Sequence, residues 1–263
     1  SEVIADAQII DIIDLQSVVP SLRVSQLERS ANATFIIRGF GNGGNNIGIE
    51  PSVGVFVDGG FRARSAGSLS DFSDIARVEV LRGPQSTLFG KNASAGVISF
   101  TTRAPSFDWT GSVEGTLGNF NAQQLKGYVS GPISDSVAFS LSAGLNKRDG
   151  YAETTDGDDL NNRDRYNLRG QLLWEATENT TFRLIGDYDD SDEDCCYVAL
   201  VDPAEAGGPF TGDGSDSFAV VAALGGVINM DPFGYTPALD FVPNGTLKNS
   251  GVSLEVTHDF GWA

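Results

Sequence analysis

Polar and apolar residues alternate strictly along the second part of the chain, from Trp109 onward. In "WTGSVEGTL" (109–117) the apolar residues and glycines take the odd positions, and the polar residues take the even ones. The same alternation runs through 137–146, 166–174, 181–188 and 251–260. Because successive side chains of a strand point to opposite faces, this period of two predicts strands with one apolar and one polar face. With "LKGYVSGPI" (125–133) as the second, we predict six strands.

The connections between these strands differ in length at the two ends of the sheet. The stretches 134–136 and 176–179 are tight turns, whereas 148–164 and 191–247 are long loops. Since antiparallel strands reverse direction at each connection, both long loops fall at the same end. Tight turns at one end only, with strands of about 9–11 residues, are typical of outer-membrane barrels.

Two architectures produce such strands, and the aromatic residues help to choose between them. A soluble sandwich buries its apolar faces, whereas a membrane barrel turns them towards lipid. Trp109, Tyr166 and Trp174 stand at the ends of apolar faces, where membrane-interface aromatics are found. We therefore predict a mainly β chain in which 106–263 forms the N-terminal part of a transmembrane β-barrel, with the sandwich as the alternative.

The first part of the chain, residues 1–105, has shorter segments of mixed type. Apolar stretches at 35–38, 53–58, 77–82 and 96–102 predict strands, and a loop rich in glycine and asparagine covers 41–48. "SLSDFSDIA" (68–76) predicts a short helix that begins at a Ser or Asp cap. We predict a small α/β domain here.

Composition and single motifs argue against several functions. A net charge of −18 excludes a phosphate-binding nucleic-acid surface. No apolar run approaches the roughly 18–20 residues of a membrane-spanning helix, and residues 1–20 lack the features of a signal peptide, which was either removed or never present. "GFGNGG" (39–44) matches a dinucleotide motif but precedes no helical pattern, and the single histidine, His258, cannot form a triad alone. We expect no enzyme activity.

The acidic stretch "DYDDSDEDCCYV" (187–198) allows two interpretations. Blocks of like charge usually remain solvated. The alternative is a Ca²⁺ site, because Asp190, Asp192 and Asp194 alternate as oxygen ligands, although Cys195 stands where a calcium loop needs glycine. If bridged, Cys195 and Cys196 indicate an oxidising compartment; they are bonded to each other through a strained ring, or each to a cysteine beyond this chain.

Several motifs in family order resemble the plug domain of TonB-dependent outer-membrane receptors. They are "VVPSLRV" (18–24), "FIIRGFG" (35–41), "PSVGVFVDGGF" (51–61) and "DIARVEVLRGPQSTLFGKNASAGVISFTTRAP" (74–105). The resemblance implies a plug at 1–105 inside a barrel of about 22 strands. Six strands would leave open edges in lipid, so we expect the chain to be part of a longer protein. The TonB box that precedes such plugs is not visible.

The resemblance also implies a function and partners. Members of this family import scarce solutes such as ferric siderophores across the outer membrane of Gram-negative bacteria, with energy supplied by TonB. The expected surroundings are outer-membrane lipid and lipopolysaccharide, with no cofactor except Ca²⁺ if the acidic stretch binds it. The alternative is a surface receptor or assembly subunit that binds a protein through its long loops without transport.

Two sets of residues become candidates through this resemblance. Apical plug loops face the ligand pocket in the family, and Asn42, Asn45, Asn46, Phe61, Arg62 and Arg64 lie on the corresponding segments, where they suit an anionic ligand. The alternative is that these loops serve only as tight turns. Arg38 and Arg82 end plug strands and predict a latch to inward carboxylates of the wall, in a group with Glu79, Glu114 and Glu255 or with carboxylates beyond this chain.

Overall fold

The N-terminal region contains two small sheets that share one core. In the computed structural model, which describes residues 12–26, 33–41, 50–62, 74–154, 157–195, 223 and 242–261, a single 3-10 turn covers Asp14–Ser17. The first sheet contains β1 (Leu22–Gln26), β2 (Ala33–Ile37) and β3 (Phe40–Gly41). The second contains β4 (Val53–Val57), β5 (Gly60–Phe61), β6 (Ile75–Arg82) and β7 (Gly96–Thr102), in the order β5-β4-β7-β6.

Apolar residues on these strands build the core. Ile37, Val53, Val55 and Ile98 are each at most 1% exposed. Strands β4 and β7 pair in parallel and lie at the centre of the second sheet, which explains why their apolar runs are nearly continuous. The four predicted strands of this region are therefore confirmed within a residue or two at their ends.

The predicted helix at 68–76 is wrong where the structure describes it. Ile75 and Ala76 belong to β6, which pairs with β7, and 68–73 lie outside the described residues. A helix that the sequence did not predict, α1 (Ser86–Phe89), forms a single turn after the Gly-Pro break that follows Arg82. Ladder hydrogen bonds to β7 outweigh the local capping signal.

The second part of the chain forms one antiparallel sheet. Its elements are β8 (Thr110–Gly118), β9 (Ala122–Ser134), β10 (Val137–Arg148), a small hairpin of β11 (Ala152–Glu153) and β12 (Asp159–Leu160), then β13 (Arg163–Thr177), β14 (Thr180–Asp194) and β15 (Asn244–His258). The six long strands lie in sequence order, β8-β9-β10-β13-β14-β15. The predicted number of strands and the tight turns at 134–136 and 176–179 are confirmed, and most strands are longer than predicted. The short connection at the other end, between β8 and β9, is also a tight turn of three residues, 119–121.

The two faces of this sheet have the opposite exposure from a soluble sandwich. On its apolar face Leu168 is 48% exposed and Val252 81%, whereas on its polar face Ser142 is 2% exposed and Gln171 3%. The polar face packs against the N-terminal region. An apolar face turned outwards and a polar face turned inwards are the arrangement of a membrane barrel wall, here incomplete.

Among the described residues, no helix is long and apolar enough to cross a membrane.

Candidate functional site

Asp58 occupies a tight turn that points at the six-stranded sheet. Asp58 and Gly59 connect β4 to β5 with positive φ values of 47° and 75°, as a two-residue hairpin turn with both central residues left-handed requires. The carboxylate accepts hydrogen bonds from the backbone N–H and the hydroxyl of Thr102, each 2.9 Å long. Its side chain is 2% exposed. The turn and β7 thus fix a buried negative charge.

Asp74, immediately before β6, supplies a second buried carboxylate. Its backbone carbonyl accepts a 2.8 Å hydrogen bond from the N–H of Arg103, which ties the start of β6 to the end of β7. Its side chain is 7% exposed. Burial raises the pKa of the Asp74 carboxyl, and the nearby Arg169 guanidinium opposes that rise.

The six-stranded sheet presents complementary groups on its inward face. Arg169 and Gln171 alternate on β13, and Arg183 and Asp187 lie on the same face of β14. The pairing register sets Arg169 directly opposite Asp187. The period of two therefore gathers these four polar side chains at one place on the wall.

Arg169 contacts both carboxylates of the N-terminal region, and Arg183 contacts one of them. Arg169 donates a hydrogen bond to Asp58, and its Nε lies 3.7 Å from Asp74. Arg183 lies 3.7 Å from Asp58 and donates a 2.9 Å hydrogen bond to the Thr102 hydroxyl. Each arginine therefore crosses from the sheet to the N-terminal region.

Gln171 links the same groups without a charge. Its amide NH₂ donates to the Thr102 hydroxyl at 3.2 Å and to the Arg103 carbonyl at 3.1 Å. Its amide oxygen accepts from Arg183 at 2.7 and 3.0 Å. The amide thus bonds the end of β7 and orients the arginine beside it.

In a third ion pair, the N-terminal region supplies the cation and the six-stranded sheet supplies the anion. Arg62, just after β5, donates to both oxygens of Asp187, at 2.9 and 3.3 Å. On the neighbouring strand, an added Cβ at Gly251 would lie 3.2 Å from Asp187 and 3.5 Å from Arg62. Glycine at that position leaves room for the pair.

We name these six charged side chains the interface cluster. It contains three cations and three anions, each mostly buried: Arg62, Arg169 and Arg183 with Asp58, Asp74 and Asp187. Because the charges balance, each can be held away from water. Removal of one partner from such a pair typically costs about 3–5 kcal/mol.

The predicted latch residues lie elsewhere. Arg38 is exposed in the β2–β3 turn with a φ of 54°, and Arg82 is exposed at the end of β6, at the sheet edge. Neither is within ion-pair distance of a carboxylate in the described ranges. A latch through them to strands beyond this chain stays a prediction.

The carboxylates of that predicted latch have other neighbours. Glu79 lies 3.4 Å from Arg77 on its own strand. Glu114 stands opposite Lys126 in the β8–β9 register. Glu255 lies 3.6 Å from Arg183 and is 56% exposed, so it touches the edge of the interface cluster.

The predicted ligand residues are only partly described. Phe61 is 37% exposed, and its ring lies 5.4 Å from that of Phe56. The Arg62 charge is paired with Asp187. The remaining candidates, Asn42, Asn45, Asn46 and Arg64, lie outside the described residues. Ligand binding at these positions stays a prediction.

Up to Asp194, the acidic stretch belongs to strand β14 and is not a loop. Asp190 lies 3.3 Å from Lys248, and the Asn244 amide donates to Asp192 at 2.8 Å and to Asp194 at 3.0 Å. Within the described part of the chain, no group of three acidic, His or Cys residues is arranged to hold a metal ion.

Two further residues singled out in the sequence, Cys195 and His258, lie at strand ends. Cys195 is disulfide-bonded, and Cys196 lies outside the described residues. His258 is exposed at the end of β15, with its Nδ1 2.8 Å from the Thr180 hydroxyl. The histidine contact is a cross-strand one, as expected of a residue near a turn.

The fold and the interface cluster define a class of protein in which a small N-terminal domain plugs a membrane barrel, whose wall is incomplete in this chain. Buried ion pairs hold the plug to that wall. Residues 1–97 match the family model described as TonB-dependent Receptor Plug Domain. The N-terminal region is thus similar to the plug of TonB-dependent receptors, and the strands that follow it resemble the first wall strands of a solved receptor of this kind.

Individual relatives agree with this assignment. The chain is 31% identical over 147 residues to the pesticin receptor of Yersinia pestis, covering 56% of this chain and 20% of that protein. It is 28% identical over 179 residues to the ferrioxamine B receptor of Salmonella typhimurium, covering 64% and 23%. The chain thus spans about a fifth of the length of these curated relatives.

A solved structure supports the fold. The ferric yersiniabactin uptake receptor FyuA from Yersinia pestis superposes with a TM-score of 0.68 at 25% identity, over 73% of this chain and 30% of that one. The homologues are outer-membrane barrel receptors of Gram-negative bacteria, a receptor family rather than an enzyme family.

Proposed function

We propose that this chain is the plug and first wall segment of an outer-membrane importer that takes up a ferric siderophore or a similarly scarce solute, with energy supplied through TonB. Relatives named for ferrioxamine B and ferric yersiniabactin support the class of solute. The interface cluster supports a movable plug. The outer membrane of a Gram-negative bacterium is the proposed location.

The chemistry of the plug–wall contact carries this proposal. The plug keeps its own apolar core, centred on Val55 and Ile98, and meets the wall through charged and amide groups. Groups of this kind recover hydrogen bonds with water when they separate, whereas an apolar core exposed to water does not. A plug held in this way can leave the wall without losing its own fold.

The contact also supports a force-driven mechanism. Each buried pair is strong only while both partners stay in place, because a lone buried charge is costly. Small displacement of the plug admits water, and water screens the pairs that remain. We therefore expect the plug to resist pulling up to a threshold force and to move easily beyond it, as a mechanically opened gate requires.

Uptake of labelled iron tests the proposal. The whole receptor that contains this chain is produced in a Gram-negative strain without its own siderophore receptors, and accumulation of ⁵⁵Fe is followed with a panel of ferric chelates. We expect uptake of at least one chelate that disappears when TonB is deleted. Uptake that persists without TonB, or no uptake of any chelate by a correctly inserted receptor, would contradict it.

A protein-binding receptor is the second candidate, because one relative is named a receptor for pesticin. The connection between Cys195 and Asn244 supplies a long segment at the end of the wall where such a partner would dock. Binding of a protein partner with equal affinity in strains with and without TonB, combined with no solute uptake, would favour this candidate.

A further inference from the structure

Three arginines lie together at the long-loop end of the wall, on its inward face. The register sets Arg148, the last residue of β10, directly opposite Arg163, the first residue of β13. Arg165 lies two residues further along β13 and therefore shares this face. Like charges at directly opposed positions of a sheet repel each other. The arrangement therefore needs negative charge nearby.

A carboxylate from the next strand supplies part of that charge. Glu193, on β14, accepts hydrogen bonds from the Nε of Arg165 at 2.5 Å and from its Nη2 at 3.0 Å, and both side chains are at most 6% exposed. The same carboxylate lies 4.0 Å from Arg163, which is 22% exposed. Glu193 therefore binds Arg165 as a bidentate pair and reaches Arg163 only at the limit of an ion pair.

Arg148 keeps a donor for a further partner. Its Nη2 donates to the backbone carbonyl of Asn161, which carries no net charge. Its Nε is buried and makes no hydrogen bond within the part of the chain that the structure describes. A buried donor without an acceptor is costly, so the geometry indicates an acceptor that the described residues do not supply.

Two exposed aromatic rings border this arginine. The guanidinium carbon of Arg148 lies 5.2 Å from the centre of the Tyr151 ring, and the Phe120 ring lies 6.5 Å from that of Tyr151. Tyr151 is 41% exposed and Phe120 54%. A guanidinium that stacks on a ring still directs its N–H groups outwards in its own plane, where they can bind an oxyanion. Positive charge and a flat apolar surface are thus offered side by side.

The three arginines lie between the long loops and the interface cluster. Arg165 precedes Arg169 by four residues on the same face of β13, which corresponds to about 13 Å along a strand. Outer-membrane barrels place their long loops outside the cell. A solute that enters from that side would meet these arginines before the interface cluster. The Arg62 charge, which the sequence offers to an anionic ligand, is instead paired with Asp187.

We propose that Arg148 and Arg163, together with the Tyr151 ring, bind a benzoate-like group of the imported solute, an oxyanion carried on an aromatic ring. The oxyanion accepts from the Nε of Arg148 and offsets the repulsion between the two opposed arginines. The aromatic ring of the solute packs against that of Tyr151. This inference rests on the proposed import and adds to it the charge and shape of the solute.

Binding of a small probe tests the site without transport. The whole receptor is reconstituted in phosphatidylcholine nanodiscs, and binding of 4-fluorobenzoate is measured by ¹⁹F NMR. The uncharged probe of the same shape is 4-fluorobenzamide. We expect the wild type to bind 4-fluorobenzoate with a Kd of about 1 mM and 4-fluorobenzamide about tenfold more weakly, because a hydrogen bond to a charged group accounts for about that factor.

Charge removal provides the decisive comparison. Arg148→Gln and, independently, Arg163→Gln should each weaken binding of 4-fluorobenzoate about tenfold. A glutamine amide at position 148 can still donate to the Asn161 carbonyl, so that contact with the loop is kept. Lys147→Gln is the matched control, because Lys147 is the neighbouring cation on the outward face of β10, 3.2 Å from Asp164, and it should leave the affinity unchanged.

Only variants that keep the heat-sensitive gel mobility of a folded barrel are compared, and either arginine variant suffices. Equal binding of the two probes by the wild type, affinity unchanged by both arginine variants, or equal weakening by Lys147→Gln would overturn the site. Any of these results together with TonB-dependent iron uptake would leave the proposed import intact. Probe binding that depends on the arginines, in a receptor without uptake, would support the site and contradict import.

Discussion

Arg169 on the wall and Asp58 in the β4–β5 turn of the plug are joined by a direct hydrogen bond, although 111 residues separate them along the chain. Arg169 also lies 3.7 Å from both Asp74 and Asp187, so one guanidinium serves three carboxylates. No other described side chain contacts as many members of the interface cluster. The contact between plug and wall is therefore centred on Arg169.

We expect Arg169→Gln to weaken plug attachment by about 3–5 kcal/mol, because it leaves Asp58 and Asp74 buried without their main cation. The measurement is ionic conductance of the whole receptor in planar bilayers at rising urea concentration, where conductance reports displacement of the plug. The urea midpoint should fall. Arg77→Gln is the control, since Arg77 is 64% exposed and pairs only with Glu79 in the described residues, and it should leave the midpoint unchanged.

Exchange of the Arg62–Asp187 charges should rescue attachment only in part. Arg62→Asp or Asp187→Arg alone breaks the pair and sets like charges side by side, so each should cost at least as much as a lost buried partner, about 3–5 kcal/mol. The double exchange restores the pair but places the new arginine beside Arg169, which now lies 3.7 Å from Asp187. Full rescue in the conductance assay would show that Arg169 and position 187 do not interact.

Gly251→Val should displace the Arg62–Asp187 pair by crowding it. A Cβ there would lie 3.2 and 3.3 Å from the two Asp187 oxygens, and overpacking of this kind costs about 1–3 kcal/mol. Gly115→Val is the matched control, since its added Cβ meets nothing within 4 Å. Equal urea midpoints for the two variants would contradict the close approach at Gly251.

Asp74→Asn should remove a pH dependence of plug attachment. Burial raises the pKa of Asp74 above its usual value of 3.8, so docking of the plug shifts the titration of this carboxyl to higher pH. Its contribution to stability is therefore complete below the usual pKa and is lost as pH rises through the raised pKa. The urea midpoint of the wild type should decline across that interval, and the Asn variant, which stays neutral, should lose this component. A decline of the same size in both would assign the dependence to other groups.

The sequence predicts the strands of the wall better than it predicts which plug residues contact those strands. Alternation with a period of two is a local property, and it correctly sorts Leu168 and Leu172 from Arg169 and Gln171. Which plug residue meets Arg169 depends instead on packing between segments more than a hundred residues apart, for which the sequence has no periodic signal.

The choice of arginines illustrates the same limit. Arg82 stands out in the sequence because it ends a strand at a Gly-Pro break, yet its side chain is exposed in the structure. Asp58 is the more informative residue, because an Asp-Gly pair between apolar segments predicts a tight two-residue turn, although the sequence does not say that this turn meets the wall. Alternation alone places its arginine partners, Arg169 and Arg183, on the polar face of their strands.

The order of strands in the wall has a consequence for assembly. The plug core is complete in sequence before β8 begins, but its attachment points lie on β13 and β14, the fourth and fifth strands of the wall. The plug cannot make these ion pairs before those two strands have been added to the wall. We therefore expect the plug to fold first and to wait for the wall, so that the ion pairs that later resist opening form late in assembly.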